Sequence, residues 1–198
     1  RVKAHAERIK VGYGMDEGVE MGPVIDAKSK KFIVGLIDDA EKRGADVVLD
    51  GRSLVVPGHE NGHFLGPTII DAVPLDAPVY TEEVFGPVLT IVHADTYDDA
   101  MRIVNSSPFG NGSAIFTNDG GVARRFTLDT EAGMVGVNVP IPTPVAYYSF
   151  GGWKESLLGD THIHGPEGVK FYTRAKAITT RWPSEKTYAA TMSFQREE

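Results

Sequence analysis

Two adjacent acids stand before an aromatic residue and a turn in the run Glu82-Glu83-Val84-Phe85-Gly86-Pro87. The Gly-Pro pair predicts a turn that leads into a strand starting at Val88. A carboxylate held at such a turn can accept two hydrogen bonds from a ribose diol, and a phenyl ring can pack beside a flat heteroaromatic ring. The same residue types also suit a solvated loop with one anchoring phenylalanine. Both interpretations stay open on spacing alone.

A second pattern that could do chemistry is H-E-x-x-H, which occurs in His59-Glu60-Asn61-Gly62-His63. Zinc proteases need both histidines on one face of a helix, one turn apart, with the glutamate beside the metal-bound water. The prolines and glycines around this run favour a loop instead, so we predict no zinc site. His162 and His164 lack a third ligand and are interpreted as ordinary loop residues. We therefore expect no metal site.

Composition narrows the classes of protein to consider. The chain has 198 residues and a net charge of −7, with acids and bases interspersed. A nucleic-acid surface needs a concentrated basic face, which this pattern does not predict. No apolar stretch approaches the roughly 20 residues that cross a bilayer, and no signal peptide is recognisable, so we predict a soluble protein. The absence of cysteine excludes disulfides, thiolate metal ligands and cysteine nucleophiles within this chain.

Helical and strand patterns alternate along the chain, which is typical of α/β architecture. Asp26 can cap a helix over residues 27–43, and Gly44 can end it. Thr96 and Asp99 form a capping-box pattern for another helix. Further helices are predicted over residues 2–10 and 121–131, and strands over 47–49, 68–73, 88–93, 113–117 and 134–139. The repeated strand–helix–strand passages predict a mostly parallel sheet with helices on both faces.

The last third of the chain has a different character. Residues 140–168 contain many prolines and glycines, and a segment this long without regular structure is either disordered or a functional loop. Its aromatic residues favour an ordered, packed loop. Residues 175–182 alternate and are rich in β-prone side chains, which predicts a strand. At the other end, the helix after Arg1 lacks a capping residue, which suggests a missing upstream part, although a trimmed terminus explains the same pattern.

The run from Glu82 to Val88 resembles the E-E-[IV]-F-G-P-V signature of the aldehyde dehydrogenase superfamily. Further motifs of that family follow in its own order, and the resemblance spans essentially residues 1–182. These motifs are Pro67-Thr68, Phe109-Gly110, Gly133-x-x-x-Val137-Asn138 and Ser149-Phe150-Gly151-Gly152-Trp153-Lys154. The resemblance implies that NAD is the cofactor, that Glu83 holds the nicotinamide ribose and that Phe85 borders the nicotinamide. It also implies that Phe150 lines the aldehyde pocket, with plain packing as the alternative.

The resemblance also has implications for catalysis and assembly. In this family a cysteine thiolate attacks the aldehyde, so the nucleophile is expected upstream, no catalytic residue is expected in this chain, and the chain alone should be inactive. Residues 1–174 would form the C-terminal part of the catalytic domain. Residues 175–198 would form an oligomerisation strand and tail, because an exposed β-prone strand needs a partner. A homo-oligomer, either a dimer or a tetramer, is therefore expected.

Several runs near the end resemble the methylmalonate-semialdehyde dehydrogenases within this family. They are Asn138-Val139-Pro140-Ile141-Pro142, Gly159-Asp160, His164-Gly165-Pro166, Phe171-Tyr172-Thr173-Arg174 and Thr179-Thr180-Arg181-Trp182-Pro183. This branch converts small semialdehydes, methylmalonate or malonate semialdehyde, to propionyl-CoA or acetyl-CoA, so coenzyme A is the expected acyl acceptor. The expected location is the cytoplasm, or the mitochondrial matrix in a eukaryote. Two alternatives stay open, namely a coenzyme-A-independent aldehyde dehydrogenase and a non-catalytic binding or assembly module of the same fold.

Overall fold

The structure is a computed structural model and describes residues 1–182. In chain order its elements are α1 (Val2–Ala6), α2 (Ala27–Lys42), β1 (Asp46–Leu49), β2 (Thr68–Asp71), α3 (Pro78–Thr81), β3 (Val88–Thr90), α4 (Tyr97–Ser106), β4 (Phe109–Gly110), β5 (Gly112–Ile115), α5 (Gly120–Asp129), β6 (Met134–Val137), β7 (Trp153–Lys154) and α6 (Glu167–Tyr172). They fall into two compact units. The first comprises Arg1–Pro108 with Leu128–Thr130, and the second comprises Phe109–Thr127 with the described residues from Glu131 onward.

Helix α2 is the main helix of the first unit, and it forms where the sequence predicts it. The side chain of Asp26 accepts a hydrogen bond from the backbone N–H of Ser29 at 2.6 Å, which satisfies one of the free donors of the first turn. Arg43 caps the other end, and Gly44 follows with a positive φ of 94°. One face of the helix is buried, and its residues are Ile33, Leu36, Ile37 and Ala40.

That buried face packs against a three-stranded sheet in the order β1-β2-β3. Ile70 of β2, which is fully buried, lies at the centre of the shared core together with Leu65, Val73, Ala77 and Val79. Burying a side chain of this size contributes about 1.5–3 kcal/mol. The apolar contact of α2 with this sheet and with the residues around α3 therefore stabilises the first unit.

The strand pairing only partly follows the prediction of a mostly parallel sheet. Strands β2 and β3 are parallel, but β1 and β2 are antiparallel. The reason is the connection between them: parallel neighbours need a long crossover, usually through a helix, and residues 50–67 contain no helix. In the second unit, β5 and β6 form a parallel pair, while β4 and β7 form an antiparallel one. The α/β class is confirmed, and a single mostly parallel sheet is not.

The connection between β1 and β2 closes on itself at two glycines. The N–H of Gly66 donates to the carbonyl of Gly51 at 2.9 Å, and the N–H of Gly51 donates to the buried hydroxyl of Thr68 at 3.0 Å. A Cβ atom on Gly51 would lie 1.9 Å from the carbonyl oxygen of Gly66, so neither strand end has room for a side chain here. Residues 52–65 therefore form a loop whose two ends touch.

Arg52 fastens this loop to α2. Its guanidinium forms ion pairs with Glu41 at 2.9 Å and with Asp50 at 2.7 Å, and a third with Asp38. These carboxylates, Asp50 above all, raise the pKa of Arg52 above its ordinary value. The arrangement orients the loop relative to the helix.

The second unit contains shorter elements. Within it, Gly110 of β4 pairs with Trp153 of β7, and Lys154 forms an ion pair with Glu131 at 2.8 Å. The predicted helix over residues 121–131 and the strands over 113–117 and 134–139 appear with ends that differ by a few residues. Two-residue strands such as β4 and β7 are too short to leave a periodic pattern in a sequence.

The predicted strand over residues 175–182 is not confirmed. Residues 173–182 carry no regular secondary structure and are exposed. A strand is defined by its hydrogen-bonded neighbour, and within residues 1–182 this segment has none. The predicted tail over residues 183–198 lies outside the described residues. The predicted domain boundary between residues 174 and 175 stays a prediction.

Candidate functional site

The segment from Glu82 to Val88 is held at both ends by the core of the first unit. It begins where the short helix α3 ends and leads into β3, with the N–H of Thr68 donating to the carbonyl of Pro87 at 2.9 Å. Val84 packs against the hydrophobic core. Gly86 lies against α2, because a Cβ there would stand 2.6 Å from Cδ1 of Ile33. Val84 and Gly86 are thus held by the core, whereas the side chains of Glu83 and Phe85 are exposed.

Phe85 lies between Val84 and Gly86, and it is both strained and exposed. Its φ is +47°, in the left-handed region that bulky side chains rarely occupy. Its side chain is 81% exposed, although a phenyl ring ordinarily contributes to stability by burial. Local strain of this kind costs on the order of 1–3 kcal/mol and clusters at ligand sites. The conformation leaves a flat apolar surface exposed, as contact with a ligand requires.

Glu83 lies two residues before Phe85 and is also exposed. Among residues 1–182, no hydrogen bond or ion pair engages its carboxylate. Both oxygens are consequently free to accept hydrogen bonds, and a carboxylate can accept two from neighbouring hydroxyl groups. The geometry therefore satisfies the requirement set out for a ribose diol.

Glu83 and Phe85 share one cleft of about 420 Å³ with the first turns of α2. This volume lies within the range of roughly 300–1,000 Å³ found for small-molecule sites. The lining residues are Ile25, Ser29, Phe32, Ile33, Glu83, Val84 and Phe85. Ile25, Ser29 and Phe32 were not predicted from the sequence as site residues. The only signal for the latter two was their three-residue spacing on one side of the predicted helix.

Asp26 stabilises the helix end that forms one wall of this cleft. The hydrogen bond from the N–H of Ser29 holds the pKa of the Asp26 carboxyl below its ordinary value. The carboxylate stays charged at neutral pH and keeps the first turn of α2 closed. Asp26 is thereby a supporting residue of the cleft and not a lining residue.

Phe150 belongs to the second unit, in a cleft of its own. Its ring stacks on the imidazole of His164 with ring centroids 4.5 Å apart and an angle of 1° between the planes. The cleft has a volume of about 510 Å³, and its lining residues are Asn111, Met134, Thr143, Phe150, Gly151, Gly152, Ser156, Leu157, Leu158, His162, Ile163, His164 and Phe171. Such a mainly apolar cleft suits a small organic ligand. Phe150 was predicted from the family resemblance as a residue of this pocket, whereas His164 was interpreted as an ordinary loop residue.

The H-E-x-x-H run lies in turns, as its glycines predict. The N–H of Gly62 donates to the carbonyl of His59 at 2.8 Å, and the ring of His59 stacks on Tyr13 at 5.1 Å. The helical arrangement that a zinc protease requires is therefore not formed. Within residues 1–182, no group of three or more histidine, aspartate or glutamate side chains could hold a metal ion. None of the helices in this part of the chain is long and apolar enough to span a membrane.

Comparison with known proteins places the chain in a family. The model of the aldehyde dehydrogenase family matches residues 1–178. The chain belongs to the aldehyde dehydrogenase family. It is 50% identical over 182 residues to a malonate-semialdehyde dehydrogenase of Pseudomonas aeruginosa, a match that covers 92% of this chain and 37% of the relative. It is 47% identical over 180 residues to the mitochondrial acylating methylmalonate-semialdehyde/malonate-semialdehyde dehydrogenase of Bos taurus, covering 91% of this chain and 34% of that one.

Solved structures of aldehyde dehydrogenases show the same similarity. A methylmalonate-semialdehyde dehydrogenase from Sinorhizobium meliloti, complexed with NAD, superposes with a TM-score of 0.86 at 46% identity, covering 92% of this chain and 37% of that one. The corresponding enzyme from Oceanimonas doudoroffii gives a TM-score of 0.84 at 49% identity, covering 91% and 37%. These matches confirm the predicted family and α/β fold. The chain spans little more than a third of the length of these relatives.

Proposed function

We propose that this chain is part of an NAD-dependent, coenzyme-A-acylating dehydrogenase for methylmalonate or malonate semialdehyde. In this proposal the cleft at Glu83 and Phe85 positions the nicotinamide end of NAD, and the cleft at Phe150 binds the aldehyde. The observation that carries the proposal is the pairing of an unengaged carboxylate with a strained, exposed phenyl ring in one cleft. The similar proteins of Pseudomonas aeruginosa and Bos taurus are named as semialdehyde dehydrogenases, which supports the choice of substrate.

The contribution of these residues is orientation. Glu83 would accept hydrogen bonds from the two ribose hydroxyl groups, which fixes the sugar next to the nicotinamide. Phe85 would border one edge of the nicotinamide ring and keep water from it. Holding two reactants in the correct relative position and orientation supplies a large part of the rate enhancement in such enzymes. When bound, NAD supplies the oxidant, because it accepts hydride from the substrate carbon.

The nucleophile lies outside this sequence in our proposal. The family mechanism uses a cysteine thiolate, and the chain contains no cysteine. The complete enzyme would act as a homo-oligomer in the cytoplasm, or in the mitochondrial matrix in a eukaryote. The Bos taurus relative is named as a mitochondrial protein, which supports a mitochondrial location in a eukaryote. The purified 198-residue chain should form no NADH from NAD and either semialdehyde. NADH formation by this chain alone would contradict the assignment of the nucleophile.

The decisive experiment is NAD titration of the complete polypeptide that carries this sequence. Replacing Glu83 by Gln removes the charge on the acceptor, and hydrogen bonds to a charged group contribute about 1.5–3 kcal/mol. We expect NAD to bind about 10- to 100-fold more weakly, as measured by calorimetry. The matched control is Glu82→Gln, because Glu82 is the neighbouring exposed acid but does not line the cleft. Equal affinities for the two variants would exclude Glu83 as the ribose ligand.

Coenzyme A dependence separates the acylating enzyme from the coenzyme-A-independent alternative. With the complete protein, NADH formation from malonate semialdehyde should require coenzyme A beyond the first turnover. The products should be acetyl-CoA and the carbon dioxide released from the carboxylate, with one NADH formed for each acetyl-CoA. Steady NADH formation without coenzyme A would favour the alternative dehydrogenase. A complete protein that binds NAD and forms no NADH would favour the non-catalytic module.

A further inference from the structure

The carboxylate of Glu167 connects two segments of the second unit that are distant in the sequence. Its Oε2 accepts a hydrogen bond from the hydroxyl of Ser149 at 2.6 Å and lies 3.5 Å from both the backbone N and the ring Nδ1 of His162. The first contact is short and strong, whereas 3.5 Å is at the limit of hydrogen-bond geometry. The hydroxyl of Ser149, more than any other group, holds the pKa of Glu167 below its ordinary value.

The two segments also approach each other through their backbones. Gly165 has a φ of +66°, and a Cβ atom there would lie 2.5 Å from the backbone nitrogen of Ser149. A Cβ atom on Gly151 would lie 2.6 Å from Cδ2 of His162. Ser149 and Gly151 are the two neighbours of Phe150. The segment 162–168 therefore holds the chain on both sides of the aromatic residue.

The ring of Phe150 is held by the same segment. Its stacking partner, His164, lies between His162 and Gly165, so residues from one short segment contact the ring and both of its neighbours. Glu167 itself does not line the cleft, and neither does Ser149. Any effect of Glu167 on a ligand must consequently pass through the residues that it contacts. These are Ser149, which is the neighbour of Phe150, and His162, which itself lines the cleft.

We propose that Glu167 is a positioning residue that fixes the Phe150 ring in the aldehyde cleft by binding Ser149. The role in the reaction rests on the proposed function, whereas the link between Glu167 and Phe150 does not. The link can be tested without any enzymatic activity.

The first test uses proton NMR of the 198-residue chain. The signals of the His164 ring protons are assigned by comparison with a variant in which His164 is replaced. A ring stacked on Phe150 has its protons shifted upfield, and this shift reports the stacking directly. We expect Glu167→Ala to abolish the upfield shift of the His164 ring protons, and Glu167→Gln to keep most of it, because the amide oxygen still accepts from Ser149. The control is Glu155→Ala, which removes an exposed acid from the same unit.

Ser149→Ala provides an independent variant for the case in which Glu167→Ala does not fold. It removes the donor instead of the acceptor and should cause the same loss of the upfield shift. The double variant should lose no more than either single one, because both changes break one interaction. An unchanged His164 shift in Glu167→Ala or in Ser149→Ala would overturn the proposal.

The second test uses the complete dehydrogenase and separates positioning from general destabilisation. Glu167→Ala should raise KM for the semialdehyde about 10-fold, since a small displacement of a positioning contact has effects of this order or larger. KM for NAD should stay unchanged, and Glu167→Gln should restore the aldehyde KM. Equal increases in both KM values would contradict a specific role at Phe150. If the wild-type protein oxidises no semialdehyde, the proposed function fails, and the NMR shifts alone decide the link between Glu167 and Phe150.

Discussion

Phe85 and Phe150 are the aromatic residues of two proposed ligand clefts, and different forces hold them. The backbone around Phe85 is anchored by apolar side chains, with Val84 in the core and Gly86 against Ile33. The backbone around Phe150 is held by glycine contacts and by the Glu167 carboxylate. Apolar burial is insensitive to pH and tolerates small shifts, whereas a polar contact depends on a few atoms in fixed geometry. The comparison indicates that each cleft has its own vulnerable interaction.

The largest expected effect on stability comes from Ile33, the apolar side chain against which Gly86 packs. Replacing Ile33 by Ala removes a side chain that is 1% exposed and lies beneath Gly86. We expect the free energy of unfolding of the 198-residue chain to fall by about 2–5 kcal/mol, as for other large-to-small core changes. Denaturant unfolding followed by circular dichroism measures it.

Ile25→Ala is the matched control for this change. Ile25 lines the same cleft but is 89% exposed, so its loss should change stability by less than about 0.5 kcal/mol. Similar losses for the two isoleucines would mean that Ile33 is not the anchor of the Phe85 segment.

The next largest effect on stability should come from disrupting the close glycine contacts around Phe150. Gly165→Ala introduces a Cβ at positive φ and in collision with Ser149, and we expect a loss of about 1–3 kcal/mol or more in the free energy of unfolding. Gly159→Ala separates the two causes, because Gly159 has a φ of +96° but nothing within 4 Å of its Cβ position. Equal losses would show that backbone strain alone matters and that the close approach does not.

A smaller effect should arise from the strain at Phe85. Asparagine tolerates the left-handed region better than phenylalanine, and the ring buries little surface, so Phe85→Asn should raise the free energy of unfolding by up to about 1 kcal/mol. NAD binding to the complete protein should weaken at the same time. Phe116→Asn is the control, since Phe116 is also exposed but does not have a positive φ. An equal gain in the free energy of unfolding for Phe116→Asn would show that the effect at Phe85 does not come from backbone strain.

The smallest effect concerns the cap of α2. Because the folded-state pKa of Asp26 lies below its ordinary value of 3.8, its contribution to stability is complete above pH 3.8 and disappears as the pH falls through the folded-state pKa. Asparagine caps helices about as well as aspartate. Asp26→Asn should therefore match the wild type at neutral pH and lose less stability in acid, as measured by urea midpoints. Asp16→Asn, outside any helix, is the control. An unchanged acid response in Asp26→Asn would contradict the role of the charged cap.

Sequence patterns predicted the elements that are long and amphipathic. Helix α2 has a capping aspartate, four buried residues at helical spacing and a glycine after its end, so local rules determine its bounds. The pairing of β1 with β2 was not predictable in the same way, because strand direction depends on the path of the intervening loop. Very short elements such as β7 leave no periodic signal.

In the candidate site, too, the residues of one short motif were predictable, whereas residues that only the fold brings together were not. Glu83 and Phe85 were recognisable because they lie in one short motif. Ser29 and Phe32 are distant from that motif in the sequence, and they reach the same cleft only because α2 packs on the core. The contact between Ser149 and Glu167 depends on how two loops fold against each other, and no spacing rule predicts it. The role of each site residue stays a prediction until the variants are measured.

The closed loop between Gly51 and Gly66 has a practical consequence for protein engineering. Since its two ends already touch, the strands on either side do not depend on the length of the chain between them, and longer loops cost little in closure entropy. The exposed tip at residues 57–61 carries no part of the core. A peptide epitope or a fluorophore attachment sequence inserted at this tip should leave both clefts intact. The same run that resembles a zinc motif thus becomes a convenient labelling position.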